Sequence, residues 1–554
     1  MRFEMECMGR TSYRLLFTGL FFCITLIGIG GFQHSPVLIS THDTVTEDSI
    51  PISYNIYYPP DLDRLTPVVI MGHGVNVNKE MMSNFAVEIA SRGYIVANLD
   101  WRGHGRSGGE LDRNGLTLDL EAVVGDIPHH TTYADMDNLA LLGYSMGGFP
   151  TYQYAADHST VKAWIGVGTA ADRDISTMND PENVLMVIAT HDEAVSPEAA
   201  KQSMIPLTGR DLEDIAFNTT YGDIDQGTAR RLQVVPWADH LTTPWDSDFV
   251  LAVTSWVSET FTGTPLTTVK TFNFRVLYLC IGLCGLLGLL GTVSWACASY
   301  FSFHPQERSI EYSGSLMGII LRYYGITLIC IPTLVILLPL FLTPLPFTAL
   351  IAVLTGGLGI NLGIFSWRFM KSRDQSIRSI IRTEIMAPKK IWIFSLGMTA
   401  IYMILYHHLV GLNFLGVIPS GPKLPYLILY CCILFGVFIL FSLFIQKVAR
   451  PILRNFFHNT HDTLTDIIIS FMIFVLIHSW FSIVILIPCI IMGNYFLAMI
   501  LILMVPIFLF MSFFGVYMEK ITGSIIPNAV LQAVWLGFII TTLTPFMSIL
   551  AFIH

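Results

Sequence analysis

Residues 138–149 read NLALLGYSMGGF, an apolar run that ends in Gly143-Tyr144-Ser145-Met146-Gly147 and leads into a helix-compatible stretch. This is the G-x-S-x-G pattern, in which a serine sits on a sharp strand-to-helix turn with its hydroxyl exposed beside backbone N–H groups. Gly143 and Gly147 fit that reading, since larger side chains two before and two after the serine collide with the neighbouring strand and helix. A serine between glycines also occurs in tight turns that perform no chemistry. Partners further along the chain therefore decide what Ser145 is for.

With Ser145 as nucleophile, an acid and then a histidine are expected downstream. Residues 184–197 read VLMVIATHDEAVSP, an apolar strand followed at once by Asp192, with Glu193 the alternative acid. An acid just past the carboxyl end of a strand shares the rim on which ligands bind in parallel sheets. Residues 232–241 read LQVVPWADHL, again a strand and then a loop, and the loop carries His240. There His240 takes the proton from Ser145 and is held in the right tautomer by Asp192. For the oxyanion, Met146 N–H is one expected donor. Residues 67–75, PVVIMGHGV, place a second at Val75, with Gly74 letting the backbone approach. His73 reads as a brace for that loop, His104 as a loop residue capping local backbone, Asp100 and Asp119 as fold-stabilising, and Asp135 and Asp137 as turn residues.

Between residues 45 and 262, short apolar runs alternate with helical stretches. Residues 52–58 alternate like an antiparallel strand, the apolar runs suited to a buried parallel sheet lie at 68–72, 94–99, 139–144, 163–168, 184–190 and 232–236, and the helices lie at 79–91, 117–124, 147–156, 197–204 and 248–260. Such alternation implies a doubly wound α/β layer structure with a mostly parallel sheet. In this setting GYSMGG, the strand-end His73-Gly74, GYIVANLDWRGHGRSG at 93–108, the DEAVSP loop and the WADH loop resemble the α/β-hydrolase superfamily, in particular its dienelactone-hydrolase-like and serine-peptidase-like esterase branches. The resemblance implies a serine hydrolase acting on an ester, thioester or amide without metal or organic cofactor. It leaves the substrate open among small molecules, lipids and peptides. WADH departs from the small-residue turn usual before the histidine, so Trp237 is expected to crowd or line the pocket. Residues 168–183 are too few for an inserted cap, and 203–231 reads as a small flap.

The rest of the chain is of another kind. Across 554 residues, 53% are hydrophobic and 13% charged, which is too apolar for an ordinary soluble protein. The formal charge of −10 is concentrated in residues 33–270, and an acidic soluble domain argues against nucleic acid as a partner. Cysteines avoid that domain: Cys23 precedes it and the next is Cys280.

A basic start at Arg2, Arg10 and Arg14 precedes the uncharged run 15–32, which reads as a retained anchor, a cleaved signal peptide being the alternative. Eight apolar segments follow, at 276–301, 323–342, 347–367, 391–412, 426–445, 467–487, 495–517 and 529–552. The basic loops 368–390 and 447–454 fall on the same side as the N-terminus, so the positive-inside rule and strict alternation agree. The expected layout is 1–14 cytoplasmic, 15–32 anchor, 33–270 an extracytoplasmic α/β-hydrolase domain, and 271–554 an all-α polytopic domain in the bilayer. His478, His407 and His408 in the spans read as hydrogen-bonded to backbone or neighbouring helices, with a metal site the sharper alternative. Two competing functions remain on sequence grounds: a transporter, channel or receptor whose hydrolase-like domain only binds ligand, and an acyltransferase using the same three residues.

Overall fold

The computed structural model describes residues 2–33, 36–303, 315–372, 376–454, 463–492 and 498–548. Nine strands form one sheet: β1 (Leu38–Val45), β2 (Pro51–Tyr58), β3 (Thr66–Gly72), β4 (Ile95–Leu99), β5 (Ala134–Tyr144), β6 (Val161–Val167), β7 (Val184–His191), β8 (Thr220–Tyr221) and β9 (Arg230–Asp239). Their spatial order is β1-β2-β4-β3-β5-β6-β7-β9-β8. Strands β4, β3, β5, β6, β7 and β9 run parallel, while β1, β2 and β8 are antiparallel at the edges. The chain leaves β3 toward β4 and then returns to β5 on the other side of β3. That reversal opens a crevice at the carboxyl ends of β3 and β5, where ligands bind in such sheets.

The central strands are buried on both faces, as their unbroken apolar runs require. Helix α1 (Arg2–Gln33) precedes the sheet, and α2 (Ser83–Ser91), α3 (Leu116–His130), α4 (Gly148–Asp157), α5 (Pro197–Thr208) and α6 (Ser247–Thr262) cover its faces. One apolar core joins α2 and α6 to the sheet, and a second joins α3, α4 and α5 to its other face. Two expectations shift here. Asp135 and Asp137 lie within β5 rather than in a turn, on its solvent-exposed first half. Strand β1, LISTHDTV, escaped the apolar-run criterion because it is an edge strand whose residues stay largely exposed.

Among the described residues ten further α-helices follow: α7 (Phe272–Tyr300), α8 (Leu316–Cys330), α9 (Pro346–Lys371), α10 (Ile377–Ile385), α11 (Lys389–Tyr406), α12 (Leu424–Ser442), α13 (Arg450–Arg454), α14 (Thr463–Met492), α15 (Met499–Thr522) and α16 (Ile526–Leu543). Among the described residues seven helices are long and apolar enough to cross a membrane, one of them Leu15–Phe32 at the N-terminal end. The expected span 323–342 is not one α-helix. After α8 the chain tightens into a 3₁₀ segment, Ile331–Leu342, where Pro332 and Pro339 remove backbone donors. The last expected span, 529–552, also ends early. Helix α16 stops at Leu543, and the chain turns back onto the sheet domain: Phe546 N–H donates to Gly103 O at 2.7 Å, and Leu111 N–H to Phe546 O at 2.7 Å. Residues 373–375, 493–497 and 549–554, which fall in an expected basic loop and two expected spans, lie outside the described residues.

Candidate active site

Strand β5 delivers Ser145 onto a turn with φ +50°, a left-handed conformation that costs a non-glycine residue on the order of 1 kcal/mol or more. Close packing fixes the turn. A Cβ on Gly147 would stand 2.4 Å from Gly72 O, and one on Gly143 would stand 2.4 Å from Gly147 O. The elbow is thus wedged against the end of β3.

Strands β7 and β9, neighbours in the sheet, bring in the other two side chains. His240 Nε2 lies 2.9 Å from Ser145 Oγ, and His240 Nδ1 lies 2.9 and 3.0 Å from the two oxygens of Asp192. An ionised carboxylate only accepts, so Nδ1–H donates to Asp192 and the Nε2 lone pair is left for the serine O–H. Asp192 Oδ1 also accepts from Ala194 N–H at 2.9 Å and Val195 N–H at 2.8 Å, which locks the carboxylate in its loop. Between the two acids the geometry discriminates. Asp192 faces the imidazole, whereas Glu193 Oε2 accepts from the His240 backbone N–H at 3.1 Å.

Met146 and Val75 lie on the two loops that meet at the serine, which approach closely enough that a Cβ on Gly74 would come 3.1 Å from Ser145 Cβ. His73 is fully buried beneath the second loop. Its Nδ1 pairs with Gly74 O at 2.7 Å while Nε2 accepts from Trp101 N–H at 3.2 Å, so the neutral ring satisfies one donor and one acceptor. Trp237 does not crowd the pocket: at φ +63° it is turned outward and 91% exposed. Tyr144 was missed by the sequence reading. Its hydroxyl donates to His240 O at 2.8 Å and its ring stacks on the imidazole at 5.4 Å. Its position directly before the serine was the available signal.

Burial pushes His73 down to about 4, against the pull of Asp100, and drives buried His104 well below the usual histidine value. The unfolded chain protonates His73 near pH 6.5, the folded chain only near pH 4. The stability from keeping the ring neutral is therefore complete above about pH 6.5 and is lost as the pH falls toward about 4, on the order of 3 kcal/mol for His73 alone. The melting midpoint of the purified protein is expected to drop steadily across that window. A midpoint that stays level from about pH 7 to 4.5 contradicts the assignment.

In the helical region, His478 Nδ1 pairs with Phe474 O at 2.8 Å, one turn back on its own helix, and the rings of His407 and His408 are neighbours at 5.6 Å. Among the described residues no three His, Cys, Asp or Glu side chains gather as metal ligands do.

Residues 64–205 match the family described as serine aminopeptidase, S33. The chain is 30% identical over 122 residues to a monoacylglycerol lipase of Mycolicibacterium smegmatis, covering 21% of this chain and 41% of that protein. It is 25% identical over 154 residues to an uncharacterized 31.7 kDa protein of Escherichia coli, covering 27% and 54%. The chain thus spans about half the length of the curated relatives it matches. Among solved structures it is similar to an esterase of Pyrococcus furiosus, at 13% identity and a TM-score of 0.33 over 41% of this chain and 94% of that one. The sheet order, the serine elbow at its crevice and the family match over residues 64–205 agree: the chain holds a domain of α/β-hydrolase fold joined to a region of membrane-length apolar helices.

Proposed function

We propose that the protein is a membrane-anchored serine hydrolase that cleaves an ester, thioester or amide through an acyl-enzyme on Ser145, with its hydrolase domain outside the cytoplasm. One observation carries this reading: the elbow hydroxyl stands 2.9 Å from an imidazole nitrogen whose ring partner is 2.9 Å from a buried carboxylate. Ser145 Oγ attacks the carbonyl carbon while its proton passes to His240 Nε2. The N–H groups of Met146 and Val75 receive the oxygen as it becomes negative. When the intermediate collapses, the bond to the leaving group breaks and the leaving group takes the proton from His240. Water then attacks the acyl carbon, gives its proton to the same nitrogen, and frees the acid and the serine. Throughout, Asp192 stays ionised and holds the imidazolium in place.

Charge supports the orientation. Arg368, Lys371, Arg378, Arg382, Lys389 and Lys390 lie on the end of α9, on α10 and at the start of α11, at the helix ends away from the hydrolase. Such residues stay on the cytoplasmic side. A fluorophosphonate probe is expected to label the purified full-length protein and to leave a Ser145→Ala variant unlabelled. A folded wild-type protein that takes no label ends this reading and turns attention to the helices as a transporter or receptor.

A further inference from the structure

Ligands of such sheets bind at the carboxyl ends of the strands, where Ser145 stands, and among the described residues the stretch 168–183 forms only a loop there. In this chain the outer ends of the apolar helices stand there instead. The loop between α11 and α12, residues 412–420, touches both loops that flank Ser145. On the Val75 side, Asn78 is buried and its amide grips Gly416 twice: Nδ2–H donates to Gly416 O at 3.1 Å, and Gly416 N–H donates to Asn78 Oδ1 at 3.1 Å. A Cβ on Gly416 would lie 2.5 Å from Asn78 Nδ2, so any larger residue there displaces the amide from this pair of hydrogen bonds.

On the His240 side, Trp245 stacks on Phe414 at 4.7 Å, and Phe414 meets Phe32, at the end of α1, at 5.1 Å. Arg275 near the start of α7 lies over both phenylalanine rings and donates to Asn413 O at 2.9 Å. The loop that carries the general base therefore rests on residues at or just beyond the ends of helices long enough to cross a membrane. From the same loop, Leu412 and Ile418 leave 53% and 50% of their surface uncovered.

We propose that the substrate is an amphiphile whose acyl chain remains in the bilayer, and that the 412–420 loop replaces a cap by passing its scissile carbonyl from the interface to Ser145. This rests on the reading of Ser145 as nucleophile. The carbonyls of acyl lipids lie at the interface, level with helix ends. Such a substrate reaches the serine without drawing its chain into water, a transfer whose cost grows with each methylene. The two exposed apolar residues of the loop are where that chain passes.

The test uses the full chain reconstituted in phosphatidylcholine vesicles, with palmitoyl and butyryl esters of one chromophoric alcohol. Wild type is expected to favour the palmitoyl ester. Glutamate at either exposed position, Ile418→Glu or Leu412→Glu, is expected to lower the palmitoyl-to-butyryl ratio of kcat/KM by about ten-fold, because the chain must pass a charge. Fluorophosphonate labelling of Ser145 in the same samples reports whether the site is folded and reactive. Labelled variants with an unchanged ratio, or a wild type that prefers the butyryl ester, overturn the proposal while leaving the nucleophile intact. Failure of wild type itself to label removes the nucleophile, and the proposal with it.

Discussion

In a His240→Ala variant, turnover of an acyl substrate is expected to fall on the order of 10⁶-fold, as far as in Ser145→Ala, with no further fall in the double variant. The equality follows from geometry. A single hydrogen bond of 2.9 Å joins the two side chains, so removing either end abolishes the same proton transfer. Asp192→Asn is expected to cost about 10⁴-fold by a different route. An asparagine there keeps an oxygen for the Ala194 and Val195 N–H groups but turns an amide N–H toward His240 Nδ1. The imidazole then carries its proton on Nε2, facing a serine that needs an acceptor. Single-turnover acylation by a chromogenic ester measures all four variants. If Asp192→Asn keeps near-wild-type acylation, Glu193, which now binds the His240 backbone, is the orienting acid instead.

Asp100 carries the second large effect, on stability rather than turnover. Its carboxylate is fully buried, accepts from Lys79 Nζ at 2.5 Å, Lys79 N–H at 2.8 Å and Arg106 N–H at 3.0 Å, and stands 3.7 Å from His73 Nε2. Burial alone would raise the carboxyl, but the Lys79 ammonium and the hydrogen bonds outweigh it and hold Asp100 below its ordinary value. Asp100→Ala leaves the Lys79 ammonium buried with Glu80 Oε1, 3.8 Å away, as its nearest counter-charge. Breaking such a pair by one partner costs about 3–5 kcal/mol. Replacing both, as Lys79→Met with Asp100→Leu, is expected to recover part of that loss, since no charge is stranded while the Lys79 and Arg106 backbone N–H groups still lose their acceptor. Urea denaturation of the full chain, followed by loss of fluorophosphonate labelling, compares the two variants with wild type. A single Asp100→Ala variant within about 1 kcal/mol of wild type shows that the pair does not anchor this end of the sheet.

The parts of the fold legible in the sequence are those where local pattern and burial agree. Strands β3, β4, β6 and β7 are buried on both faces and read as continuous apolar runs. Edge strands carry no such pattern, so β1 and the two-residue β8 stay hidden. Apolarity also misleads. Residues 544–547 look like the end of a span, yet Met547 is buried in the second core of the sheet domain. The serine, the acid and the histidine were legible because their order along the chain and their places after strands are themselves the signal. The supports of the site were not. Tyr144 beneath His240, Glu193 on its backbone and Asn78 on Gly416 act through contacts between residues far apart in sequence, which no local spacing encodes.

The return of residues 544–547 to the sheet sets an order in time. Synthesis completes the strands of the hydrolase early, while the backbone partners of Gly103 and Leu111 are still unmade. Those partners, at Phe546, are synthesised only after α16. The loop from Gly103 to Leu111, which follows the buried Arg102 paired with Asp119 at 2.8 Å, lacks these two hydrogen bonds until then. Final closure of the sheet domain thus waits on the last residues made, and a chain cut after α16 would carry Ser145, Asp192 and His240 with the Gly103 carbonyl and the Leu111 N–H deprived of Phe546.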